Sequence, residues 1–460
     1  TYYCLECALL YRLLLSLVGL FVVITLGVVG FSWRLALADI APPPASAFSA
    51  QLVQKGQVLA GIGNCAACHT TKGGASYAGG LPIATPFGSI YSSNITPDPD
   101  TGIGRWSQDA FKRAMREGVR QDGAHLFPAF PYTHFTIIND EDLSALYAYL
   151  MTRPAVHALA QVNTIPFPLN IRALQAGWKL LYFDKKAYQT NVSQSVDWNR
   201  GRYLAEGIAH CAACHTPRNL LGAESTNSAY LGAQIDGWFA PALTAANTSP
   251  LPWTEAELFA YLRSGVTQFH GVASGPMSEV VHQGLTLSPD ADIHALAVYL
   301  MNIKGSPVAT VTASSDAIIA RNLATNLTKI MSKSAQVGGL YTDRGANLYL
   351  AACAACHSNS NGIPIGIRPE LGLNSALTAA DPGNLLRVIL AGAARREGDT
   401  LNAGSGVVAI APGSYMPGFA ASLTNEDLVQ LVSYLRRSRT DLPPWERLEA
   451  SVVAARKASP

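Results

Sequence analysis

Apolar residues return at helical spacing in three places, each just behind a polar, acidic start. Leu143, Leu146, Tyr147 and Leu150 follow Asn139-Asp140-Glu141-Asp142. Ile293, Leu296, Val298 and Leu300 follow Ser288-Pro289-Asp290-Ala291-Asp292. Leu428, Leu431, Val432 and Leu435 follow Thr424-Asn425-Glu426-Asp427. A Ser, Thr or Asn cap with early carboxylates at the positive helix N-terminus predicts a helix at each place. Well ahead of each, a second helix is predicted to run through a glycine: Lys55-Gly56-Gln57-Val58-Leu59, Arg200-Gly201-Arg202-Tyr203-Leu204 and Arg344-Gly345-Ala346-Asn347-Leu348. Glycine weakens a helix, so its place inside one predicts the close approach of another element. The chain therefore reads as mainly α, with three tandem copies of one helical domain over 48–154, 198–305 and 339–441.

The segments between the copies differ from them. Residues 155–197 hold Ile165-Pro166-Phe167-Pro168 and then an apolar, aromatic stretch through Ala173, Leu174, Trp178, Leu181, Tyr182 and Phe183. This predicts a linker with an amphipathic helix that packs on the first two domains. The alternative is a surface for the membrane or a partner, since Arg172, Lys179, Lys185 and Lys186 would flank an apolar face. Residues 306–338, rich in Ala, Ser, Thr and Val, read as a second linker with one helix over 316–331. Residues 442–460 read as a C-terminal extension.

Ahead of the first copy, Leu13–Phe31 is an uncharged run of nineteen residues whose polar members are Ser16 and Thr25. At ~1.5 Å per residue a helix of this length just spans the ~30 Å hydrocarbon core. Arg12 stands at one end, Trp33 and Arg34 at the other. A secretory signal cleaved after Ala36-Leu37-Ala38 is the competing reading, but the run exceeds the ~7–15 residues of a signal core. The expectation is an N-terminal transmembrane helix within 1–40: a single-pass anchor in a bacterial inner membrane, with the body of the chain on the periplasmic side.

At 460 residues the chain is long enough for about three ordinary domains. The 33 Lys and Arg nearly balance 31 Asp and Glu, a net charge of +2, which argues against nucleic acid as a partner. Six of the eight cysteines fall in one recurring motif. Only Cys4 and Cys7 remain, with Ala8 where that motif would need His, so no disulfide framework is left to propose.

The motif is Cys-x-x-Cys-His, once in each copy, directly behind the glycine-bearing helix: Cys65 to His69, Cys211 to His215 and Cys353 to His357. Two thiols three residues apart lie on one helical turn and can add to the two vinyl groups of a haem. The next residue then reaches the iron as an axial ligand. A zinc site would need two more ligands nearby, and a thioredoxin-like motif would not carry the trailing His each time. The chemistry read here is three covalently bound haem c groups, held by Cys65, Cys68, Cys211, Cys214, Cys353 and Cys356 and ligated by His69, His215 and His357. Attachment of this kind takes place outside the cytoplasm.

Each iron needs a second axial ligand, commonly Met, whose thioether favours Fe(II) and raises the potential. Met277 in Gly275-Pro276-Met277 stands 62 residues after His215, and Met416 in Tyr415-Met416-Pro417-Gly418-Phe419 stands 59 after His357. The first copy has no such Met: its loop reads Phe127-Pro128-Ala129-Phe130-Pro131-Tyr132-Thr133-His134. His134, 65 residues after His69, is the expected ligand there; His125, 56 after, and an open site are the alternatives. An open first site would suit a multihaem peroxidase.

With these residues in hand, the chain resembles the three-haem cytochrome c subunits of membrane-bound bacterial dehydrogenases over 48–441. The signatures are Thr85-Pro86-Phe87-Gly88, Asn94-Ile95-Thr96-Pro97-Asp98, Pro128-Ala129-Phe130-Pro131-Tyr132 and His210-Cys211 through Cys214-His215-Thr216-Pro217-Arg218-Asn219. The resemblance implies an electron-transfer subunit that takes electrons from a catalytic subunit and passes them to membrane ubiquinone. Phe130 with a nearby His134, and Asn170-Ile171-Arg172 followed by Ala176-Gly177-Trp178, look like the cytochromes that serve molybdenum-containing aldehyde dehydrogenases. A molybdopterin catalytic chain and a small iron–sulfur subunit are then the implied partners. Subunits of quinoprotein (PQQ) alcohol or flavin sugar dehydrogenases look like Pro-Ala-Met-Pro-Tyr at the Phe130 loop, and are the alternative.

Overall fold

Among the described residues, the helices that carry Gly56, Gly201 and Gly345 each meet a late helix, and the glycine is where they touch. The computed structural model describes residues 11–17, 19, 27, 30–267, 269–303, 317, 343–357, 371–393 and 416–458. These fall into two compact units, one within 1–59 and 66–189 and the other within 60–65 and 190–460. The first unit holds most of α1 (Ala50–Ile62), which leads into α2 (Cys65–His69). A hairpin of β1 (Pro82–Thr85) and β2 (Gly88–Tyr91) follows, then α3 (Gln108–Glu117), α4 (Tyr132–Phe135), α5 (Asp140–Met151) and α6 (Leu174–Tyr182). The second unit begins with α7 (Val196–Tyr203) and α8 (Ala212–His215), then a hairpin of β3 (Ala233–Ile235) and β4 (Trp238–Ala240). After α9 (Pro276–Glu279) and α10 (Asp290–Met301) come α11 (Arg344–Ala352), α12 (Ala354–His357), α13 (Gly383–Ala391), α14 (Asn425–Arg439) and α15 (Leu448–Ala458). Both hairpins are antiparallel, with Ile83 opposite Ile90 and Gln234 opposite Phe239.

Among the described residues three helix pairs cross at a glycine. A Cβ added to Gly56 of α1 would overlap the carbonyl oxygen of Ala145 in α5 and stand 2.7 Å from Tyr149 Cβ. Gly201 of α7 meets Ala295 and Tyr299 of α10 in the same way, and Gly345 of α11 meets Gln430 and Tyr434 of α14. A second contact repeats with the first. The basic residue just before each glycine pairs with the aspartate at the third position of the late helix. Lys55 Nζ lies 2.8 Å from Asp142 Oδ1, and Arg344 Nε 2.9 Å from Asp427 Oδ1. Arg200 engages Asp292 with both Nε and Nη2, at 2.8 and 2.9 Å.

Those aspartates also start the late helices. Asp142 N donates to Asn139 Oδ1 at 2.8 Å, and Thr424 and Asp427 form a reciprocal capping box. The Thr424 hydroxyl and backbone, followed by Arg344, hold the Asp427 carboxyl below its ordinary value. The cap expected at Ser288 differs: Pro289 occupies the N-cap of α10 without a side-chain bond.

The segment 442–460 is more than an appendage. Leu448, Val452 and Ala455 of α15 pack into one core with Leu386, Leu428, Leu431 and Val432. Trp445 Nε1 donates to Ala379 O at 2.8 Å. The linker over 306–338, with its expected helix, lies outside the described residues apart from Ala317, as do Cys4 and Cys7.

The anchor expected over Leu13–Phe31 is corrected. Among the described residues no helix is long and apolar enough to cross a membrane, so the single-pass inner-membrane placement is not supported. A span needs about 20 continuous helical residues. The described helical stretches here are 11–17 and 30–32, and most of the run between them lies outside the described residues.

Helix α6 is turned against its hydrophobic pattern. Lys179 is 9% exposed while Leu180 and Leu181 are 72% and 67% exposed. The cause is the C-terminal end of α3, whose last carbonyls lack partners within their own helix. Lys179 Nζ donates to Glu117 O at 2.5 Å, to Gly118 O at 2.8 Å and to His125 Nδ1 at 2.9 Å. Burial pushes the ammonium down to about 7. Lys179→Met keeps the stem but strands two buried acceptors, Glu117 O and His125 Nδ1 (Gly118 O still accepts from Leu126 N at 2.7 Å), and is expected to destabilise the unit by about 2–4 kcal/mol in denaturant titration. A loss below the error of that titration would show that the acceptors find other donors.

Candidate haem-attachment sites

The three motifs each form one helical turn: Cys65–His69 is α2, Cys211 is the N-cap of α8, and Cys353 is the C-cap of α11 just before α12. The two thiols of each motif are thus carried by the same turn. Burial pushes the Cys211 thiol up to about 12 and that of Cys353 to about 11, so both are held as thiols. Among the described residues no group of three or more His, Cys, Asp or Glu is arranged to hold a metal ion, which leaves the cysteine pairs without zinc-site partners.

The histidines show what the turns are for. His69 Nδ1 lies 2.7 Å from Ser93 O, and His215 Nδ1 lies 2.7 Å from Pro241 O. A carbonyl only accepts, so each Nδ1 carries the proton and each Nε2 presents a lone pair suited to a metal. Burial lowers both imidazoles below the ordinary histidine value, against the raising effect of the carbonyl, which favours this neutral form. In both places the acceptor lies just beyond a β-hairpin: Ser93 after β2 and Pro241 after β4. The main chain repeats as well, with Gly79 N donating to His69 O and Gly232 N to His215 O, each at 2.8 Å. Both glycines have positive φ, 74° and 86°, a region that favours glycine at this sharp entry to the hairpin. Sequence reading missed Ser93 and Pro241, because a backbone acceptor has no side-chain signature. The paired cysteines on one turn and the Nδ1-protonated histidines fit haem c, with Nε2 as the iron donor.

Less is described around the third motif. Tyr349 OH donates to His357 O at 2.9 Å, and residues 358–370 beyond lie outside the described residues. Cys353, Ala354 and Met416 pack against the same core cluster. Met416 also forms a bridge with Ala393, whose N–H donates to Met416 O at 3.0 Å. Met277 sits on α9 after Gly275, whose φ is 56°. The structure brings the Met277 loop onto the β3–β4 hairpin: a Cβ on Gly275 would stand 2.5 Å from Trp238 Cε2.

In the first unit, His134 lies half-buried on α4, between fully buried Tyr132 and Phe135, and Phe130 stands edge-on to Phe135 at 5.4 Å. His125 is otherwise engaged. Its Nδ1 takes Lys179, and its Nε2 lies 3.0 Å from Ser32 O. Both ring nitrogens of His125 are thus engaged within the protein.

Comparison with known proteins agrees with this geometry. Residues 53–154 match the family described as Cytochrome c, and residues 341–435 match that described as Cytochrome C oxidase, cbb3-type, subunit III. The fructose dehydrogenase cytochrome subunit of Gluconobacter japonicus is 39% identical over 359 residues, 77% of this chain and 74% of the relative. The cytochrome c subunit of a quinone alcohol dehydrogenase from Gluconacetobacter polyoxogenes is 35% identical over 417 residues, 88% of this chain and 84% of the relative. The chain belongs to the cytochrome c subunits of dehydrogenases. It is an electron-transfer cytochrome, and its cytochrome c domains carry covalently bound haem c. This cytochrome subunit is also 44% identical over 431 residues to a nicotinate dehydrogenase subunit of Pseudomonas putida. That match takes 93% of this chain but only 34% of the relative, so the chain spans about a third of that protein's length.

Proposed function

We propose that the chain is a three-haem wire that takes electrons from a catalytic dehydrogenase subunit and passes them to ubiquinone. The observation that carries this reading is the pair of Nδ1-to-carbonyl bonds at His69 and His215, which prepares both imidazoles as iron ligands beside cysteine pairs. The third haem rests on the helical turn at Cys353 to His357 and its crossing helix pair. Met277 and Met416 complete the second and third irons, and His134 the first. His/His ligation lowers the first potential relative to the His/Met pairs, which gives the wire a direction. His134→Met is expected to raise the first haem's potential and remove its His/His signal in electron paramagnetic resonance. An unchanged spectrum would reject His134 as the ligand.

The partner proposed is a molybdenum-containing aldehyde dehydrogenase with a small iron–sulfur subunit, on the strength of Phe130 and His134 in the first loop. A PQQ alcohol or flavin sugar dehydrogenase is the second reading, favoured by the fructose and alcohol dehydrogenase subunits that this chain matches over most of their length. Metal and cofactor analysis of the complex that co-purifies with the chain separates the two. About one molybdenum for three haem irons, with additional non-haem iron, supports the first; PQQ or flavin without molybdenum supports the second.

A further inference from the structure

The β3–β4 hairpin touches both sides of the second haem site, and it is gripped by α13, whose Leu385, Leu386, Ile389 and Leu390 pack in the core of the third helix pair. On one side Pro241, directly after β4, accepts from His215. On the other, Trp238 lies against Gly275, two residues before Met277. The grip comes from α13. Asn384 Oδ1 accepts from Phe239 N at 2.9 Å and its Nδ2 donates to Phe239 O at 2.8 Å. One side-chain amide thus pairs with the free edge of β4 as a neighbouring strand would. One turn along α13, the Arg387 guanidinium stands 5.8 Å from the Trp238 ring centroid, within cation–π range. A Cβ on Gly237 would overlap Arg387 Nη2, so the arginine is pressed onto the hairpin turn. Arg387 Nε is buried and makes no hydrogen bond.

We propose that α13 sets the reduction potential of the haem held by Cys211, Cys214 and His215, with Asn384 as a positioning residue and Arg387 as the charge that acts on it. The proposal rests on reading Met277 as that haem's second ligand. Asn384 fixes Phe239, two residues before the carbonyl that orients His215. Arg387 places a permanent positive charge over Trp238, which touches the loop leading to Met277. A cation near an iron favours its less positive, reduced state, and the effect is greater away from bulk water. Reduction of the second haem is thereby coupled to the seating of α13 on the hairpin.

The test is a redox titration of the full chain, with the second haem identified as the component lost on replacing Cys211 and Cys214 with alanine. Arg387→Leu is expected to lower that haem's reduction equilibrium constant by roughly threefold to tenfold. Arg387→Lys, which keeps the charge, should restore most of it. Asn384→Leu should move the same component and perturb its axial-ligand spectrum. Thr378→Ala is the control: it removes a bond from Thr378 Oγ1 to Thr248 O, 2.8 Å long, that ties the segment before α13 to the loop after β4 without touching the hairpin. It should leave the potential unchanged. Equal potentials in wild type, Arg387→Leu and Asn384→Leu would overturn the proposal, and so would an equal shift in Thr378→Ala. Met277→His tests the ligand reading separately. Loss of one His/Met signature supports that reading, while an unchanged spectrum removes Met277 as ligand and with it this route to the iron.

Discussion

Replacing Cys211 and Cys214 together with alanine is expected to leave two haems on the denatured chain where the native chain keeps three. The expectation follows from which bonds survive unfolding. Iron ligation by histidine or methionine is lost when the fold opens, but a thioether formed by adding a thiol across a vinyl group is a carbon–sulfur bond and persists. Intact-mass measurement of the denatured chain therefore counts attachment sites one by one. The double alanine change removes both thiols from one turn, since Cys211 is the N-cap of α8 and Cys214 lies within it. His215→Gly makes the complementary cut: it leaves the thioethers and deletes the imidazole whose Nδ1 is tied to Pro241 O. That chain should keep three covalent haems but lose the low-spin spectrum of one. A native chain carrying only two haems would refute the three-haem reading, and the position of the missing one would be found by repeating the pair of changes at Cys65 and Cys68, and at Cys353 and Cys356.

The parts of this architecture that were legible in the sequence are those that place a rare residue type at a fixed spacing. Cys-x-x-Cys-His announces its helical turn, and the glycines of Lys55-Gly56, Arg200-Gly201 and Arg344-Gly345 announce a crossing because nothing else explains them inside a helix. The partner residues were less visible. Asp142, Asp292 and Asp427 were read as helix starts, and that Lys55, Arg200 and Arg344 reach them appears only once the helices cross. Ser93 O and Pro241 O could not be found at all, because any residue offers a carbonyl and only the hairpin fold puts it beside an imidazole. Helix α6 shows where periodicity misleads. Its leucines predicted an inward apolar face, but the carbonyls of Glu117 and Gly118 at the end of α3 compete for that space and draw Lys179 in. Satisfying Glu117 O and His125 Nδ1 outweighs burying one more leucine, which contributes roughly 1.5–3 kcal/mol. The expected anchor failed for a different reason. Its length and apolarity were compatible with a span, but among the described residues no helix is long and apolar enough to cross a membrane.

Gly201→Ala should cost about 2–4 kcal/mol of stability and lower haem retention at the second site. Alanine is the better helix former by about 1 kcal/mol, so propensity alone predicts the opposite sign. Packing decides. The new Cβ would overlap the carbonyl oxygen of Ala295 and stand 2.7 Å from Tyr299 Cβ. Neither can swing aside, since one is backbone of α10 and the other is fixed to it, so the two helices must separate. Separation also lengthens the Arg200–Asp292 pair, whose two bonds are 2.8 and 2.9 Å, because it spans the same crossing one residue away. Tyr299 OH, which donates to Glu206 Oε1 at 2.7 Å, moves with its helix. Gly177→Ala provides the matched control. Gly177 is also inside a helix, α6, but an added Cβ meets nothing within 4 Å. There propensity acts unopposed, and alanine should stabilise by about 0.5–1 kcal/mol. Opposite signs for the same methyl group in thermal unfolding would show that these crossings, and not helix content, hold the haem turns in place. If both changes were neutral, α7 and α10 would have room that their contact at Gly201 does not show.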